Sequence, residues 1–161
     1  MAMPKSVTKV KKDGIEFVSN VDRTQYSIAE LSKAALRDVS KLLRRKMRDA
    51  VKPNKRTGNV HKNIASWVRV DRETKVPELF IGVYGAKKAK EKGLKDPFYA
   101  QFLEFGTSKM PAVNNGRGFV KSIVEENIDE IIKIQAQYLS AIEDEAKAIG
   151  LIEEGDFEDD D

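Results

Sequence analysis

The chain has no cysteine, one histidine and one tryptophan among its 161 residues. Without cysteine there is no disulfide, no thiolate nucleophile and no zinc–sulfur site, which agrees with a reducing compartment. His61 stands in a polar connector beside Lys62, with no carboxylate cluster near it in sequence. A metal centre or catalytic base built on it would need distant partners, so a solvated loop residue is the expectation. No apolar run approaches the roughly 20 residues of a membrane helix, and the N-terminus lacks the apolar core of a signal peptide. A soluble protein made in a cytoplasm is expected. Phosphate-loop chemistry is also missing, because Gly116-Arg117-Gly118 has no preceding strand, third glycine or lysine–hydroxyl pair. Glu125 and Glu126 are adjacent and diverge on a helix, unlike an acid–base pair. No enzyme, cofactor or metal is expected.

What the chain does have is charge, unevenly placed. Residues 1–62 carry 16 Lys/Arg against 6 Asp/Glu, residues 63–122 carry 11 against 6, and residues 123–161 carry 2 against 14. The net +3 therefore conceals a basic front and an acidic end. Such asymmetry suits contact with a polyanion, head-to-tail association of complementary subunits, or neutralisation of one helix by another within a domain.

Hydrophobic spacing supplies the elements. Residues 1–12 are lysine-rich and aperiodic and are expected to form a disordered basic arm. A single domain spans 13–150, and 151–161 form a disordered acidic tail. Ile15-Glu-Phe-Val18 fits a short edge strand. A long helix capped by Thr24 or Ser27 runs to Val51, with Ile28, Leu31, Ala35, Val39, Leu42, Leu43 and Met47 as its apolar stripe. Beside that stripe Lys33, Arg37, Lys41, Arg44, Arg45, Arg48 and Lys52 recur at three- and four-residue steps. Phosphates are met by such a cationic face irrespective of base sequence, although a merely solvated face looks the same. Strands over 64–70 and 78–84 follow, then a lysine-rich loop from Gly85 to Asp96. Trp67 is expected in core or interface. A final helix runs from Phe119 to Ile149, with Gly150 as its stop. The fold class is α+β: a small antiparallel β-sheet packed against a long N-terminal helix, a short aromatic helix and a long C-terminal helix.

The short helix is the most informative segment. Asp96 and Pro97 suit a helix start; Phe98, Phe102 and Phe105 then fall at i, i+4 and i+7 on one face, widened by Tyr99 and Leu103, with Glu104 pointing elsewhere. Gly106 stands where a left-handed stop is expected, and Pro111 keeps the helix from resuming. The string Glu104-Phe-Gly-Thr-Ser-Lys-Met-Pro-Ala112 resembles the signature of a tailed-phage family typified by gene product ten of coliphage HK-ninety-seven. A second block, Pro53 to Ile64, is similar to that family's Pro-x-x-Thr-Gly-x-Leu-x-x-Ser-Ile, with Thr57 and Gly58 in place, Val60 for leucine and Asn63 for serine. The third block departs from the pattern. Val113-Asn-Asn-Gly is inserted, and Arg117-Gly118-Phe119-Val120 stands where Arg-Pro-Phe-Leu is common, so Gly118 is expected to loosen the loop. The similar stretch reaches from about Ile28 to Ile149.

The resemblance implies a structural protein of a phage or prophage at the neck or tail end. It would form a homo-oligomeric ring and contact other neck or tail proteins and, without sequence preference, phage DNA. It would assemble in the host cytoplasm and end in the virion. Phe102 and Phe105 would fix the signature helix to the sheet, while Gly106, Thr107, Ser108, Lys109 and Met110 shape an assembly loop; Tyr99, Glu104, Pro111, Arg117 and Phe119 complete the motif set. The alternative is a small basic nucleic-acid-binding protein, in which the cationic stripe binds and the aromatic helix is only core. No helix-turn-helix or other recognition module supports it.

Overall fold

The computed structural model describes residues 7–12, 15–19, 21–54, 57–74, 76–113, 116–142, 144, 147–148 and 150–152. Among the described residues antiparallel hairpins and α-helices follow one another as β1 (Val7–Lys12), β2 (Ile15–Ser19), α1 (Val21–Val51), α2 (Asn59–Asn63), β3 (Ile64–Val70), β4 (Pro77–Val83), α3 (Ala86–Glu91), α4 (Tyr99–Phe105), α5 (Phe119–Glu126) and α6 (Ile128–Leu139). The class is α+β, as the sequence reads.

Helix α1 organises everything else. Its Val39, Leu43, Met47 and Val51 join Ile64, Leu103, Phe119 and Ile123 in the main core. Its Leu31, Ala34 and Ala35 meet Tyr138 and Ala148 in a second cluster, with Leu151 and Ile152 packed on it. Ile28, expected in the core stripe, remains 41% exposed. Two polar contacts fix α1 laterally: the Ser40 and Ser66 hydroxyls lie 2.8 Å apart, and the Tyr138 hydroxyl donates to Asp38.

The β3–β4 hairpin pairs Ile64 with Val83 and Trp67 with Phe80. Strand alternation turns Ile64, Leu79, Ile81 and Val83 towards α1. Asp71 closes the hairpin by accepting the backbone N–H groups of Glu73 (2.8 Å) and Thr74 (2.7 Å). These bonds stabilise the carboxylate and hold its pKa below the ordinary 3.8. The opposite sheet face stays open: Trp67 is 48% exposed and stacks between Phe80 and Tyr84, with centroids at 5.9 Å and 6.4 Å.

Several expectations change. Residues 7–12 of the expected arm form β1, paired with the anticipated strand at Ile15. The lysine-rich loop contains α3, and the connector carrying His61 is α2. The long final helix is broken at Asn127, whose side-chain amide donates to the Ile123 carbonyl at 2.7 Å. That carbonyl would otherwise accept the Asn127 N–H, so the side chain competes with the helix and the backbone turns to φ −113°, ψ 16°. A turn follows over 140–142, and Gly150 lies within a helical stretch rather than ending one. Leu151 and Ile152, assigned to the tail, are helical and half-buried, whereas residues 1–6 and 153–161 lie outside the described residues.

Candidate functional site

The two motif blocks meet in space. Thr57 and Gly58 from the connector, and Asp96, Pro97, Tyr99 and Met110 from the signature, line one cleft of about 230 Å³. Gly58 begins α2 in the left-handed conformation (φ 75°, ψ 3°), and Thr57 is exposed beside it. The pivot is Asn63, which is fully buried. Its amide donates to the Asn59 carbonyl at 2.8 Å and to the Lys95 carbonyl at 2.9 Å, while its backbone carbonyl accepts the Tyr84 N–H at 3.0 Å. One asparagine therefore ties α2 to the end of β4 and to the approach to α4.

Helix α4 starts without a side-chain cap, so Asp96 does not play the expected role. Of its residues Leu103 alone is buried; Phe102 is 37% exposed and Phe105 82%. The idea that Phe102 and Phe105 fix the helix to the sheet is thus corrected. The aromatic face looks outward, with Phe102 edge-on to Phe98 and Tyr99, and the smaller apolar side chain makes the attachment.

Beyond α4 the chain folds back tightly. Gly106 has φ 73° and ψ −174°. The φ is positive as expected, but the ψ belongs to an extended region open essentially to glycine alone, not to a left-handed stop. A Cβ at Gly106 would stand 2.6 Å from the Ala112 nitrogen and 2.9 Å from the Met110 oxygen. Thr107 then pins the turn. Its N–H donates to the Met110 carbonyl at 2.7 Å, and its hydroxyl accepts the N–H of Met110 at 3.1 Å and of Lys109 at 3.3 Å. Lys109, Pro111 and Arg117 are exposed on the rim. The returning segment locks on where the Val113 N–H donates to the Leu103 carbonyl at 2.9 Å.

Glu104 holds the far end. Its carboxylate accepts the N–H groups of Val120 at 2.8 Å and Lys121 at 3.3 Å, capping α5 from a different helix. Gly118, at φ 81° and ψ 160°, makes room: a Cβ there would be 2.6 Å from the Glu104 carboxyl carbon. Gly118 is therefore a constraint, not the source of looseness its sequence position suggests. Phe119, fully buried, anchors the start of α5.

The cationic stripe occupies α1. Lys33 pairs with Glu30, Lys41 with Asp38 at 3.5 Å and Lys52 with Asp49 at 2.6 Å. Lys41, Arg44, Arg45, Arg48 and Lys52 gather around one polar depression, with Asp49 and His61 also on its wall. Lys33 and Arg37 lie outside it, nearer the N-terminal end of α1. Among the described residues, Nε of Arg44 and Nε of Arg48 are buried without a hydrogen-bond partner. The Lys52 ammonium lowers the pKa of Asp49 below 3.8. His61 is thus no isolated loop residue; α2 sets it against the stripe. Among the described residues no cluster of three or more His, Asp or Glu offers a metal site, and no helix is long and apolar enough to cross a membrane.

Sequence reasoning missed the capping role of Glu104 and the pivot at Asn63. Both act between segments distant in sequence, and only the serine-to-asparagine departure at Asn63 hinted at either.

A compact α+β building block emerges, with its distinctive chemistry in a locked loop and exposed surfaces. The chain belongs to the HK97-gp10-like family, described as "Bacteriophage HK97-gp10, putative tail-component", whose family model matches residues 15–106. The match takes in α1, the connector, the β3–β4 hairpin and the signature as far as Gly106. No curated protein and no solved structure gives a significant match.

Proposed function

We propose that the chain is a structural virion protein of a tailed phage or prophage that closes as a homo-oligomeric ring at the head–tail junction or the tail end, with the cationic face of α1 turned to the DNA channel. The carrying observation is the grouping of Lys41, Arg44, Arg45, Arg48 and Lys52 around one depression, on a chain whose family is a tail component. A lumen through which DNA must slide needs charge without base reading, and an array of guanidinium and ammonium groups supplies it. The work is geometric: subunits bury a shared interface, close by rotation and guide the polyanion. The protein passes from host cytoplasm, where it meets neck or tail partners, into the virion.

Deleting the gene from an inducible phage and imaging the lysate by electron microscopy tests this. Filled heads and separate or non-infectious tails are expected, because capsids assemble and fill before the junction is made. Empty or absent heads would move the protein to an earlier step, and normal infectivity would remove the junction role.

A further inference from the structure

Among the described residues two exposed apolar faces stand out beyond the core, the cleft and the stripe, and they carry opposite net charge at their edges. The first runs along the open side of the β3–β4 hairpin and onto α4. Trp67, Phe80 and Tyr84 stack in a row, and Tyr84 shares a groove with Phe98 and Phe105. Its rim is predominantly basic: the Lys92 ammonium lies 5.6 Å above the Tyr84 ring, and Lys87, Lys88 and Lys90 are exposed on α3, where Glu91 pairs with Lys88 at 3.6 Å, while Asp96 and Glu104 line the groove itself.

The second face lies on α6. Ile131, Ile134 and Tyr138 pack inward, but Ile132 is 55% and Leu139 62% exposed, and Ile128 lies beside them. Leu139 continues into a groove shared with Ile28 and Val76. Its rim is predominantly acidic, with Glu125 and Glu126 ending α5 and Asp129 and Glu130 in the first turn of α6, all exposed, against Lys133 on α6 and Lys121, which pairs with Glu125 at 3.8 Å.

From this complementarity we propose that the aromatic, lysine-rimmed face of one subunit docks on the aliphatic, acid-rimmed α6 face of the next, a second copy of this chain being the occupant of both. The assignment rests on the ring reading above and specifies its interface. Pairing either face with itself would oppose lysines to lysines or carboxylates to carboxylates, which is unfavourable. Pairing the two different faces matches both charge and apolarity, and such a heterologous contact repeats from subunit to subunit until rotation closes it.

The test uses full-length chains and one substitution per face at exposed positions, Phe105→Asp and Ile132→Asp, with Phe98→Ser and Leu139→Ser as a second pair should either of the first fail to fold by circular dichroism. Sedimentation velocity is expected to show oligomers for the unaltered chain and at least a tenfold weaker self-association for each variant alone. Mixing the two variants is expected to restore one contact and give 1:1 dimers, since each retains the face the other lacks. Lys87→Glu is expected to weaken assembly and Asp129→Lys, added to the same chain, to recover part of it. Folded variants that associate as the unaltered chain does, or a mixture that stays monomeric, overturn the assignment of faces while leaving the ring intact. An unaltered chain that stays monomeric overturns the ring reading and this proposal with it.

Discussion

Between Leu103 and Phe119 the chain holds itself by short, mutually dependent backbone contacts, whereas the cationic face of α1 is held by ion pairs within the helix and leaves two guanidinium nitrogens unpartnered among the described residues. In the first region the Leu103 carbonyl, the Thr107 hydroxyl and both Glu104 carboxylate oxygens have assigned partners, and two glycines make the close approaches possible. In the second, two guanidinium nitrogens one helical turn apart are buried without partners among the described residues. A locked loop specifies a shape and fails when a single atom is added. A cationic surface specifies a potential and degrades gradually as charges are removed.

The most damaging way to break the first region is a side chain at Gly106. Gly106→Val is expected to lower stability by about 3 kcal/mol or more, because a strained φ/ψ is combined with contacts that only backbone movement can relieve. Asparagine tests the conformation itself. It tolerates the left-handed region but not ψ near 180°, so Gly106→Asn is expected to be nearly as destabilising as valine. Thermal unfolding of the two variants decides; a mild asparagine variant would return Gly106 to an ordinary helix stop.

The second effect is smaller and electrostatic. Glu104→Ala removes the α5 cap and leaves the Val120 and Lys121 N–H groups without their carboxylate, for an expected loss of about 1–2 kcal/mol in urea denaturation. Glu104→Gln keeps the shape and one acceptor, so about half that loss is expected. Equal stability of all three chains would show that Gly118, and not the carboxylate, places α5.

These two sites also mark how far the sequence was legible. Local periodicity placed α1, the β3–β4 hairpin and α4, and the cationic stripe followed directly from helical spacing. Periodicity groups residues on a face but does not say which way that face points. Phe98, Phe102 and Phe105 do share a side of α4, yet Leu103 on another side makes the attachment. The break at Asn127 escaped because the apolar pattern continues through it, while a single side-chain hydrogen bond ends the helix. Gly118 read as slack because its constraint comes from Glu104, a residue on another helix.

On the cationic side the expected response is graded. Arg44→Gln combined with Arg48→Gln is expected to weaken binding of the chain to any duplex DNA and to flatten the salt dependence, by about 0.9 in the log–log slope for each phosphate no longer neutralised. Fluorescence anisotropy with duplexes of unrelated sequence measures both. Removing residues 153–161, which carry seven acidic side chains, is expected to strengthen binding at low salt, and physiological salt to suppress it in every variant. Sequence-selective binding that persists at physiological salt would instead favour the nucleic-acid-binding alternative.

The smallest effect comes from the acid on the wall of the depression. Asp49 sits among Lys41, Arg45, Arg48 and Lys52, and its pKa is lowered chiefly by the hydrogen bond from Lys52. A carboxyl with a folded pKa below its unfolded value adds stability above the unfolded value and loses that contribution as pH falls through the folded one. The Asp49–Lys52 pair is therefore fully formed from about pH 5 upward, and its small, exposed contribution fades only below the ordinary carboxylate range. Two consequences separate charge from structure at this position. Asp49→Asn is expected to leave thermal stability near neutral pH almost unchanged, since a solvent-exposed ion pair contributes little. It is also expected to tighten DNA binding by roughly twofold at low salt, by removing the negative charge nearest the incoming phosphates and freeing the Lys52 ammonium to meet them. The gain is expected to be the same at pH 6 and pH 8, because Asp49 is ionised throughout that interval. An affinity unchanged in low salt would mean that this depression does not meet the DNA at all.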